Sequence, residues 1–94
     1  MPEVHFKVAW PDGSTELCYS PSAVIKKYFQ AGETYPLEDF VARSRLALNS
    51  GSERVKAKYG RPCGLALGQL EQIEKKAITY QDNLQPTVKI INFQ

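Results

Sequence analysis

No apolar run in the chain approaches the roughly 20 residues that a membrane-spanning helix requires, so no segment reads as a transmembrane span. The opening Met1-Pro2-Glu3-Val4-His5 lacks the basic-then-apolar order of a secretory signal, which makes the cytoplasm the expected location. Cysteine and histidine are scarce: Cys18 and Cys63 stand 45 positions apart, and His5 is the one histidine. A structural zinc site takes four Cys/His ligands, commonly in close pairs, and three candidates without a pair do not make one. No metal and no cofactor are expected. A chain kept in a reducing compartment is not expected to join its two cysteines, and free cysteine is among the most buried residue types. Phosphate-loop spacing is missing as well, since neither Asp12-Gly13-Ser14 nor Gly64 to Gly68 supplies G-x-x-x-x-G-K-[ST]. No spacing forces two carboxylates together for acid–base work.

What is present describes one folded domain over residues 1–94. With 43% hydrophobic and 23% charged residues, the chain can bury a core, which excludes a disordered or collagen-like polymer. At 94 residues it cannot build a second core. The net charge of +2 is too small to demand a polyanionic partner, but it hides an uneven distribution. Residues 1–42 hold three Lys/Arg against six Asp/Glu, a net of −3. Residues 43–61 hold six Lys/Arg against Glu53 alone, a net of +5. Residues 62–94 balance.

Val4, Phe6, Val8 and Trp10 alternate with polar neighbours, the period of a half-buried strand. Pro11-Asp12-Gly13 suits a tight reversal, because Pro presets φ, Asp bonds nearby backbone and Gly accepts positive φ. A second strand, Ser14 to Tyr19, completes a hairpin, with Leu17 and Tyr19 expected inward and Glu16 and Cys18 outward. Ser20-Pro21 reads as a helix start, Ser as N-cap and Pro in the first turn, for a helix to about Phe29. A loop through Tyr35 leads to a second start at Pro36, where Glu38 and Asp39 complement the helix dipole. Leu37, Val41, Ser44, Leu48, Gly51, Val55 and Tyr59 then keep one helical stripe. Asn49-Ser50-Gly51-Ser52 weakens that helix without breaking its phase, and a glycine on the stripe admits a close neighbour. Gly60 and Pro62 end it. A last helix is expected from about Cys63 to Tyr80, burying Cys63, Ala66, Leu67, Leu70, Ile73 and Ala77, followed by a strand over 87–93.

These elements predict an α+β, two-layer domain. The N-terminal hairpin and C-terminal strand form a three-stranded sheet in order 2-1-3, with about three helices on one face. A right-handed crossover through the helices would set the last strand parallel to the first.

Cys63 is the one candidate catalytic residue, weak as it is. A helix N-terminus and Arg61 both favour thiolate, whereas burial opposes it, and His5 is expected across the sheet. A small enzyme or ligand-binding subunit would use Cys63 with Tyr59 or Tyr35. On a helix advancing 100° per residue, Arg43, Arg54 and Arg61 share a sector, with Lys58 some 40–60° away. These four residues form a candidate face for a protein partner. The bland alternative is a solvated face, and nucleic acid is disfavoured because the chain adds no helix-turn-helix pattern or exposed aromatic platform. Leu46 and Leu65 point off their stripes, as single exposed leucines often do, or as a homodimer contact would require.

Four pieces then carry a resemblance: Phe6 to Ser14 (FKVAWPDGS), Cys18-Tyr19-Ser20-Pro21-Ser22, Ser52 to Gly60 (SERVKAKYG), and the start of the helix from Cys63 to Ile73. Spanning nearly the whole chain, they resemble a small bacterial family associated with nitrogen starvation. It is encoded beside a nitrilase gene cluster in actinobacteria and cyanobacteria. The resemblance implies a cytoplasmic accessory or regulatory role, with an enzyme of the same cluster as a candidate partner. It supplies no catalytic residue.

Overall fold

The computed structural model describes residues 3–61 and 64–94. Strands β1 (Val4–Ala9) and β2 (Thr15–Ser20) form the expected hairpin, with Phe6 opposite Cys18 and Val8 opposite Glu16. In its turn, Ser14 donates to Asp12 Oδ1 from both Oγ (2.6 Å) and backbone N (2.9 Å). These bonds, above all the one from the Ser14 hydroxyl, hold the Asp12 carboxyl down at about 2. Gly13, at φ 87°, supplies the left-handed residue that closes the reversal.

The inward set of β2 is the reverse of the expected one. Cys18 and Ser20 are fully buried, and Leu17 is 49% exposed. The register explains this: Phe6 points into the core, and the residue opposite it shares its face, so Cys18 and Glu16 turn inward. The preference for Leu17 came from hydrophobicity alone, whereas the turn sets which face each residue takes.

Helix formation after β2 is delayed. The Ser20 hydroxyl donates to Ser22 O at 2.8 Å and Ser22 Oγ accepts from Val24 N at 3.2 Å. These local bonds hold the backbone in turns, the competing conformation that serine favours. The helix α1 is therefore only Ile25–Tyr28. A short strand follows, β3 (Thr34–Pro36), where a loop was expected. Helix α2 (Leu37–Tyr59) then runs unbroken through Asn49–Ser52 for 23 residues. Gly60, at φ 81°, caps it by donating its N–H to Lys56 O at 2.7 Å. Gly51 is buried against the turn after β2. A Cβ built on it would stand 3.0 Å from Pro21 Cγ, so the glycine is the close approach its position implied.

Helix α3 (Gly64–Ile78) buries Ala66, Leu70, Ile73 and Ala77, while Leu67 is 39% exposed instead of joining them. Strand β4 (Thr87–Phe93) closes the sheet. The order is β2-β1-β4-β3, so the predicted neighbours hold and a fourth strand extends the sheet. The β1–β4 pair is antiparallel, which corrects the expected parallel crossover. Helices α2 and α3 run out and back as a hairpin, returning the chain to where β3 ended. Leu37 N donates to Pro86 O at 2.9 Å at that junction, and Pro36 pairs with Thr87. From there β4 has to run against both β3 and β1.

The helices cover one face of the sheet. Val4, Phe6, Val8, Val88 and Ile90 point into the core against Ile25, Phe40, Leu48 and Ile73. Each side chain of this size contributes about 1.5–3 kcal/mol on full burial. A connected run of rings crosses the core: Phe6 to Phe29 (6.2 Å between centroids), Phe29 to Phe40 (5.4 Å), Phe40 to Trp10 (5.5 Å) and Trp10 to Tyr80 (5.9 Å).

Candidate functional site

Among the described residues, those with reactive chemistry do not converge. Cys63 lies outside the described residues. Cys18 is buried, and burial, with a smaller push from the Glu16 charge, raises its thiol to about 12. Its Sγ points toward Glu16 Oε2 at 3.9 Å. Glu16 Oε1 also accepts from Trp10 Nε1 at 3.2 Å and pairs with Lys76 Nζ at 3.5 Å. This cluster ties β2 to α3 around a protonated thiol. His5 lies on the other face of the sheet, with its ring edge-on to Tyr19 at 5.8 Å. Tyr35 and Tyr59 flank opposite ends of α2, separated by roughly 34 Å at 1.5 Å per residue, so they cannot line one pocket. Among the described residues no group of three or more His, Cys, Asp or Glu side chains could hold a metal ion. No helix among them is long and apolar enough to cross a membrane.

The basic middle of the chain separates into two places. Arg43 is engaged near the start of α2. Its Nε donates to Asp39 Oδ2 at 2.9 Å, its Nη1 donates to Tyr28 O at 2.6 Å, and its guanidinium lies 4.9 Å from the Tyr35 ring centre. Arg54 is eleven residues further on, roughly 16 Å along the axis. From Glu53 to Tyr59 no residue of α2 is buried. Burial ends at Gly51 and Ser52, so the last two turns, roughly 10 Å, project past the core. This matches a molecule 42 Å long and only 23 by 17 Å across.

The projecting end carries Arg54, Lys56 and Lys58, with Arg61 just beyond the cap, against Glu53. Tyr59 is 65% exposed with Lys58 Nζ over its ring at 5.5 Å, and Leu65 at the start of α3 is 71% exposed. Leu46 is also exposed, further back on α2. Helical phase identified Arg54, Lys58 and Arg61 as a group but said nothing of which part of α2 outruns the core. It therefore included Arg43, whose partners come from α1 and β3. The cluster of Glu16, Trp10, Cys18 and Lys76 was missed because the inward face of β2 was misassigned.

The structure thus defines a class: an α+β protein with helices on one face of a four-stranded antiparallel sheet and a basic helical hairpin reaching beyond it. The sequence matches the model of the family described as nitrogen starvation-induced protein NitG over residues 5–93, and the chain belongs to that family. No curated protein and no solved structure matches it.

Proposed function

We propose that this member of the nitrogen starvation-induced family is a non-catalytic accessory or regulatory protein that binds another protein through the projecting end of its α2–α3 hairpin. One observation carries the reading: of seven consecutive helical residues, Glu53 to Tyr59, none is buried and Val55 alone is even half-buried, yet the segment concentrates basic charge. A helix outrunning its core gains little tertiary packing, the main source of helix stability in proteins. Docking a partner supplies that packing. Tyr59 and Leu65 offer apolar contact beside Arg54, Lys58 and Arg61, the mixture of aromatic, aliphatic and arginine that binding hot spots favour. An acidic partner surface would be steered to it. The contact narrows to those residues, because Arg43 sits roughly 16 Å back along α2, among α1 and β3 and away from the projecting end. The partner class is a protein, with an enzyme of the same gene cluster as the first to try.

The test is site-specific photo-crosslinking in nitrogen-starved cells. A crosslinker at position 58 is expected to capture a discrete protein that one at position 89, on the sheet, does not. Arg54→Glu is expected to abolish that adduct. Capture at both positions alike, or an adduct indifferent to Arg54→Glu, overturns the proposal.

A further inference from the structure

Arg43 lines a second basic site, apart from the hairpin end. A cleft of about 480 Å³ opens where α1, the lead-in to β3 and the first half of α2 meet, with Lys26, Lys27, Gln30, Glu33, Tyr35 and Arg43 around it. That volume lies in the range of small-ligand sites. The cleft is also polar, and its polar groups are unbalanced.

Donors outnumber acceptors here. Arg43 spends one N–H on Asp39 and one on Tyr28 O, which leaves three of the guanidinium's five to give. Tyr35 Oη accepts from Gln30 N at 2.9 Å, so the phenol keeps its own proton to donate. Lys27 has no ion-pair partner among the described residues, and Lys26 faces only the Phe93 ring, 5.8 Å away. Against these the lining offers one carboxylate, Glu33, because Asp39 is held by Arg43.

The central donors are also fixed in place. The Arg43 guanidinium is held by two hydrogen bonds and lies over the Tyr35 ring, while the Tyr35 hydroxyl is pinned by Gln30 N. A guanidinium so held loses little freedom when it binds, and its planar fork suits an oxyanion. Arg43 is thus at once a brace joining α2 to α1 and β3 and a preorganised donor lining a cleft.

We propose that this cleft binds a small dianion, a phosphate-bearing or dicarboxylate molecule, through Arg43, Lys26, Lys27 and the Tyr35 hydroxyl. The inference is independent of the protein-binding role of the hairpin end. It joins three chain segments to one ligand, which suits an effector site on an accessory protein.

The experiment is an NMR titration of backbone amides in the full chain, at constant ionic strength, with pyrophosphate and separately with malonate. Saturable shifts are expected at Lys27, Gln30 and Arg43. Affinity is expected to fall roughly tenfold or more in the Lys26→Glu/Lys27→Glu double variant, because two charge-assisted contacts are lost. These lysines are exposed, so the variant keeps its fold, and Lys89→Glu on the sheet should leave binding unchanged. Tyr35→Phe should weaken binding while its amide spectrum stays folded. Saturation by pyrophosphate alone assigns the phosphate class, and by malonate alone the dicarboxylate class; saturation by both assigns a general oxyanion site. Shifts that fail to saturate with either probe, or binding undiminished in the double variant, overturn the proposal.

Discussion

Two glycines in two helices should respond to the same substitution with opposite signs. Gly68 lies within α3, and a Cβ built there meets nothing within 4 Å. Gly68→Ala therefore receives only the helix-propensity gain, about 1 kcal/mol. For a domain of this size that corresponds to a rise of about 4–8 °C in Tm. Gly51 lies within α2, and its added Cβ would stand 3.0 Å from Pro21 Cγ and 3.4 Å from Pro21 Cδ. Pro21 cannot simply step aside, because it is buried between Ser20 and Ser22, which are joined by the 2.8 Å bond from Ser20 Oγ to Ser22 O. Overpacking of this kind costs about 1–3 kcal/mol, which cancels or exceeds the same propensity gain. Gly51→Ala should leave Tm unchanged or lower it by as much as about 16 °C, and the larger Gly51→Val should lower it further. Urea and thermal unfolding of the variants against the parent measure all of these. If Gly51→Ala raised Tm as much as Gly68→Ala, the contact between α2 and the Pro21 turn would be refuted.

The buried thiol of Cys18 keeps its proton to about 12, above the ordinary value near 9, so the native state holds a proton that the unfolded chain releases. Its contribution is complete below pH 9 and is lost as pH rises from 9 toward 12, by about 1 kcal/mol per pH unit. Chemical unfolding of the parent and of Cys18→Ala across that range should show a shallower alkaline decline in the variant; equal slopes would place the thiol in solvent. Glu16→Ala strips the acceptor from Trp10 Nε1 and the counter-charge from Lys76, and should cost about 1–3 kcal/mol with a change in tryptophan emission. Arg54→Glu, at an exposed position of a helical segment with no buried residue, should shift stability by no more than about 0.5 kcal/mol, as circular dichroism melts will report.

Much of the fold was legible from residues taken in order. The alternation of Val4, Phe6, Val8 and Trp10, the Pro11-Asp12-Gly13 turn and the stripe from Leu37 to Tyr59 are local patterns, set by side-chain period and backbone preference. They specified a hairpin, an uninterrupted long helix ending at Gly60 and an α+β domain. The close approach at Gly51 was readable too, since a glycine held in phase on an apolar stripe needs a packing reason.

What depended on the partner across space was not legible. Leu17 and Cys18 both suit a strand, and only the register opposite β1 turned the cysteine inward and the leucine out. Thr34 to Pro36 are a strand because β4 lies beside them, and three residues carry too little pattern to announce it. The direction of β4 followed from the out-and-back path of α2 and α3, which no local pattern encodes. Arg43 and Arg54 share a helical sector to within 20° and look equivalent along the chain. Tertiary structure pins one beside a cleft and leaves the other on a helix end beyond the core. Period gives a residue its side of an element, but only the surrounding elements decide what that side meets.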